Sequence, residues 1–153
     1  MTTTNEKKLP RGFRNKNPLN IRKGSTPWTG QVVPGTDKQF CQFERMAYGW
    51  RAAFKLLRKY YFVHKCRTIS DIINRWAPPS DGNNTEVYIR RVGNMAPFAP
   101  NDELPAPDAA PQLWIGIGMA MAVVENGHEP AFSHYDAVVG WLLADDVVID
   151  GFK

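Results

Sequence analysis

Cysteine is scarce in this sequence: Cys41 and Cys66 are the two in 153 residues. A small domain built on disulfides carries more, so both are expected as free, partly buried thiols. Long apolar runs are missing too. The best candidate, Leu113 to Val124, falls short of the ~18 apolar residues that a membrane span needs and contains two glycines. The first twelve residues have no apolar h-region, so neither a secretory signal nor membrane insertion is expected. There is no His-Glu-x-x-His pair, no phosphate-binding glycine loop and no Gly-x-Ser-x-Gly elbow, which leaves zinc-protease, nucleotide and serine-hydrolase chemistry without a signature. His128 and His134 lack metal-ligand spacing and are expected at the surface; no metal and no cofactor is implied. Repeats and low-complexity tracts are also lacking.

What is present suits one packed, monomeric domain: 43% hydrophobic residues, 12% aromatic, and a length that builds a single core. The formal charge of +4 is a mild bias that helps approach to any anionic polymer without choosing among cell wall, nucleic acid and lipid. It serves solubility equally well. The basic stretch Lys55 to Arg67, interleaved with Tyr60, Tyr61 and Phe62, suits a DNA-binding helix-turn-helix on paper. A solvated basic helix face accounts for it better, so nucleic acid is not an expected partner.

Residues 1–12 read as a flexible polar lead, and 13–153 as one domain. Within it, 13–43 is rich in Asn, Gly, Pro and Thr, with short strands expected at Gln31–Val33 and Gln39–Phe43, and 44–153 is helical. Trp50, Ala53, Phe54, Leu57 and Tyr61 share one face of a helix over 46–62. Thr68 and Asp71 have capping-box spacing for a second helix, with Ile69, Ile72, Ile73 and Trp76 inward, ended by Pro78 and Pro79. Asn83 or Asn84 caps a third, reaching about Val92. Pro111 opens a fourth that is apolar almost all round and is therefore expected at the centre. Ser133 and Asp136 cap the last, to about Ala144. The fold class is α+β, predominantly helical.

One acid breaks the apolar fourth helix. The twelve residues before Glu125 carry no charge, and the carboxylate then appears in the last turn. Desolvation and the negative helix end both disfavour its charged form. A carboxyl kept protonated suits general-acid cleavage of a glycosidic bond. The plainer reading is a helix end reaching solvent.

Asn15-Lys16-Asn17-Pro18-Leu19-Asn20-Ile21-Arg22, then Phe40 and Phe43, Arg75-Trp76-Ala77-Pro78-Pro79, and Asn84, Thr85, Tyr88 and Ile89 follow one another over residues 11–92. This succession resembles a family of phage-encoded, virion-associated proteins of lysozyme or lytic-transglycosylase type. Glu125-Asn126-Gly127 is similar to the Glu-Ser-Gly helix end of lytic transglycosylases, whose glutamate is the catalytic acid. That helix comes first in those enzymes and last here, so the resemblance implies a lysozyme-like fold in circularly permuted order. Lys16 stands where the family has Asn, and Leu19 where it has Gly. The first departure implies that the Asn side chain is dispensable there, and the second that position 19 has little need of positive φ.

The resemblance implies a peptidoglycan-degrading glycosidase, an endolysin or virion component, that cleaves between N-acetylmuramic acid and N-acetylglucosamine with Glu125 as general acid. Asp37 is the candidate second carboxylate. Asn17, Asn20, Arg22, Trp28, Asn84, Thr85 and Tyr88 are the candidate substrate contacts. Asn84 is better read as a cap, Trp76 as core, and Tyr88 either packs or points its hydroxyl into the cleft. The implied partners are the bacterial wall and other virion proteins. The implied location is host cytoplasm or virion, with action on the periplasmic wall. The alternative is a non-catalytic virion or wall-binding protein on the same fold.

Overall fold

The computed structural model describes residues 9–153. Six α-helices follow in order: α1 (Arg11–Arg14), α2 (Met46–Phe62), α3 (Ile69–Trp76), α4 (Thr85–Met95), α5 (Pro111–Asn126) and α6 (His134–Ala144), with a short 3-10 turn at Pro79–Asp81. The chain is predominantly helical, as its periodicity predicts.

The helix starts follow local chemistry. The Thr68 hydroxyl accepts from Asp71 N at 3.0 Å, while the Asp71 carboxylate reaches back to Arg67 N at 2.9 Å. Asn84 and Ser133 accept from Val87 N and Asp136 N at 3.2 Å each. These side chains satisfy amides that have no partner inside their helices. Pro111 occupies the first turn of α5, where its missing N–H is harmless.

Helix α5 packs against α1, α2, α4 and α6 and is the centre of the molecule. Trp114, Ile117 and Met121 are fully buried on it, facing Trp50, Phe54 and Leu57 of α2 and Val92 of α4 within one core. Each fully buried side chain of this size contributes about 1.5–3 kcal/mol. The largest helix contact is α2 on α6. There Gly140 lets the α6 backbone touch Trp50; a Cβ added at Gly140 would overlap the Trp50 Cβ and approach Arg51 N to 2.9 Å.

Two expectations are corrected. The strands at Gln31–Val33 and Gln39–Phe43 do not form ladders; two isolated antiparallel bridges remain, Arg22 with Phe40 and Gln31 with Phe43. Pro27, Pro34 and three glycines interrupt this stretch, and side chains take over the bonding that a ladder would supply. The flexible lead does not reach residue 12 either, since α1 is docked: Phe13 stacks on Phe132 with centroids 3.9 Å apart, and Gly12 is buried. Residues 1–8 lie outside the described part. The extreme C-terminus also packs, with Phe152 against Tyr48 and beneath the Arg45 guanidinium.

Gly140→Ala should destabilise the protein by about 1–3 kcal/mol, because α6 must move off α2. Gly116→Ala, on α5 with open space around it, should stabilise by about 0.5–1 kcal/mol through helix propensity. Urea unfolding of both variants checks the contrast.

Candidate functional site

A cleft of about 1110 Å³ opens between the N-terminal loop on one side and α2, the end of α3 and the end of α5 on the other. Glu125 and Asn126, from the last turn of α5, lie in its lining with Asn20, Arg22, Trp28, Tyr60 and Trp76. Glu125 is half-buried. Its Oε2 accepts from Trp76 Nε1 at 3.3 Å and from the Tyr88 hydroxyl at 3.1 Å. Oε1 has no partner among the described residues and is not sealed from solvent. Two donors on one oxygen hold the carboxyl in place and leave the other oxygen free to meet a ligand. Tyr88 is buried, and that burial, with the adjacent Glu125 carboxylate, pushes its phenol far above the ordinary range. It therefore acts as a donor at every physiological pH.

Asn126 ties the two ends of the chain together. Its Oδ1 accepts from Gly12 N at 2.9 Å and, more loosely, from Asn20 Nδ2 at 3.4 Å. Its Nδ2 donates to Pro18 O at 2.8 Å and to Ala122 O at 3.1 Å. The approach requires glycine at position 12, because a Cβ there would lie 2.5 Å from Asn126 Oδ1.

The Asn-rich box divides in two. Asn17 is fully buried; it donates to Ile21 O and Cys41 O at 3.0 and 2.9 Å and accepts from Ile21 N at 2.9 Å. Its polar atoms are committed to the loop, which corrects the expectation that it touches substrate. Asn20 does line the cleft, at a positive φ of 52°, and its buried Oδ1 has no partner. Lys16 also has φ 52°, a conformation that Asn tolerates better than Lys. Leu19 is fully buried beneath the loop.

Of the other expected contacts, Arg22 and Trp28 line the cleft. Asn84 and Thr85 do not: Asn84 caps α4, and the buried Thr85 hydroxyl donates to Ala77 O at 2.6 Å. Tyr88 stands behind the carboxylate and positions it. Asp37 is corrected most clearly. Its Oδ1 accepts from Gln39 N and Phe40 N at 2.9 and 3.0 Å, and Oδ2 accepts from Asn15 Nδ2 at 3.0 Å with Arg11 Nε 3.6 Å away. It folds the loop from outside the cleft lining. Trp76 was expected in the core, but its indole edge holds Glu125. Asn126, Tyr60, Lys59 and Asp81 are cleft residues that sequence reasoning did not single out. The Glu125-Asn126-Gly127 helix end is the one signal in the sequence that pointed to Asn126.

His128 and His134 are exposed, and the described residues contain no cluster of three His, Cys, Asp or Glu that could hold a metal. Cys41 and Cys66 are free and buried, and burial raises both thiols above their ordinary range. No helix among the described residues is long and apolar enough to cross a membrane.

No family model matches the chain. Protein P5 of Pseudoalteromonas phage PM2 is 35% identical over 133 residues, which cover 85% of this chain and 79% of that protein. The chain belongs to the P5 family.

Two expected outcomes follow from these contacts. Asn126→Ala leaves Gly12 N and Pro18 O without partners and should cost about 2–3 kcal/mol, with hydrogen exchange at Gly12 accelerated beyond the global change. Hydrogen bonds from Asn15, Gln39 and Phe40, with the Arg11 charge, hold Asp37 down from 3.8 to about 2. A depressed folded pKa gives stability that is complete above about pH 5 and lost as pH falls through about 2. Asp37→Asn should therefore cost on the order of 1 kcal/mol at pH 7, after solvent screening, and the gap to wild type should close near pH 2 in denaturation measured across pH.

Proposed function

We propose that this protein is a peptidoglycan-cleaving glycosidase with Glu125 as the general acid. The observation that carries the reading is the Glu125 carboxyl itself, half-buried in a long cleft and held at one oxygen by Trp76 and Tyr88. Its accessible Oε1 protonates the glycosidic oxygen, and the bond to the muramyl C1 breaks through an oxocarbenium-like transition state. Trp28 and Tyr60 offer aromatic rings for sugar stacking. The other carboxylate lining the cleft is Asp81, on the exposed 3-10 turn. A mechanism with Glu125 alone needs no second carboxylate, because the substrate's own acetamido or hydroxyl group completes the displacement.

Support for a permuted lysozyme-like arrangement comes from the meeting of Asn20 with Asn126. The Asn-rich segment and the Glu-Asn-Gly helix end, distant in sequence, share one cleft. The relationship to a phage protein agrees with a role at the host wall, reached through a holin or carried in a virion.

Glu125→Gln preserves both hydrogen-bond donors' partner oxygen and should keep the fold while abolishing clearing of purified wall by at least about a hundredfold. Mass spectrometry of the products should show cut glycan with intact stem peptides. Equal clearing by wild type and variant, or cut peptides on intact glycan, sinks the reading. Wall binding with no clearing by either protein would instead favour a non-catalytic wall-binding role.

A further inference from the structure

The cleft carries more positive charge than a neutral polysaccharide calls for. Arg11, Arg22 and Lys59 line it from two sides, the first two from the N-terminal segment and Lys59 from α2 beside Tyr60. Arg11 is engaged by Asp37. Arg22 and Lys59 are different: neither is within ion-pair distance of a carboxylate among the described residues. Arg22, exposed at the cleft wall, is stacked instead. Its guanidinium lies 4.7 Å from the centre of the Phe40 ring, which also carries Arg11 at 4.6 Å. Its backbone is bridged to Phe40, and its carbonyl takes the Cys41 thiol. A stacked guanidinium loses little freedom on binding and presents its planar fork to one kind of ligand above others, a carboxylate. Lys59 adds a second point charge, on a flexible stem, across the cleft.

Resting on the glycan-cleaving reading, we propose that Arg22 and Lys59 read carboxylates carried by the glycan strand, so that the cleft selects acidic muramyl-containing chains over uncharged chitin-type chains of the same backbone. The carboxylate has two possible sources, the lactyl group of a bare muramyl residue and the stem peptide attached to it. Both hang from the sugar adjoining the scissile bond, within reach of a cleft that also holds Glu125.

The test measures binding of the full-length Glu125→Gln protein to three glycans: soluble strands with stem peptides, the same strands stripped by an amidase, and a chitin hexamer. Adding Arg22→Gln or Lys59→Gln should weaken binding of acidic strands by about three- to tenfold each and leave the chitin hexamer unchanged. Raised salt should reproduce the loss without those substitutions. Arg22→Lys, which keeps the charge and loses the fork, should recover part of the affinity. Arg90→Gln, in the separate groove between α3 and α4, serves as the surface control and should change nothing. Loss on peptide-bearing strands alone assigns the stem peptide; loss on stripped strands alone assigns the lactyl carboxylate, which is free only where no peptide is attached; loss on both shows that either carboxylate is read. Equal loss on chitin, or no loss on any glycan while wild type still clears wall, overturns the inference and leaves Glu125 chemistry intact. If none of the three glycans binds and wild type does not clear wall, both readings fall together.

Discussion

Four hydrogen bonds converge on the side chain of Asn126, and the candidate site depends on them. Three of them join the last turn of the central helix to Gly12, Pro18 and Asn20, more than a hundred residues away in sequence. Each is worth about 0.5–1.5 kcal/mol net, a modest sum. Their consequence is positional. Once Asn126 is fixed against the N-terminal loop, the preceding residue must face the space between loop and helices, and that residue is Glu125.

The rest of the framework serves the same placement. Helix α5 has no polar side to turn toward water, so α1, α2, α4 and α6 enclose it, and its axis cannot roll to expose Glu125 without uncovering Trp114, Ile117 or Met121. Trp76 at the end of α3 and Tyr88 on α4 arrive from two other helices and meet on one oxygen. A carboxyl carried on one helix and held from two others has little orientational freedom left.

The helices were legible because their signals are local. Thr68, Asn84 and Ser133 bond amides three residues ahead, and Pro111 and Gly127 mark the ends of α5 within its own sequence. The N-terminal loop was not, since its bonds are long-range: Asn17 reaches Cys41, Asn15 reaches Asp37, and the expected strands shrink to single bridges. The same distinction separates what could be read of the site. Glu125 stood out against its own apolar helix. Trp76 did not, because an indole on a helix's inner stripe looks the same whether its N–H edge is idle or bonded to an acid on another helix.

Within this one loop and cleft, chemically similar residues have unlike tasks, and the difference lies in which atoms are already spent. Asn17 has its amide fully bonded in the interior, whereas Asn20, three residues on, keeps a buried carbonyl oxygen with no partner. Asp37 accepts from two amides and an Asn side chain on both oxygens; Glu125 is held on one and keeps the other open. Arg11 is paired with Asp37, and Arg22, stacked on the same ring, is not. A buried polar atom without a partner costs free energy in the empty protein, and a stacked cation without a counter-charge gives up part of its hydration. Asn20 bears the first cost while its amide nitrogen holds the loop against Asn126, whereas Glu125 Oε1 and the Arg22 guanidinium stay open to the cleft, where an ether oxygen and a carboxylate would find partners.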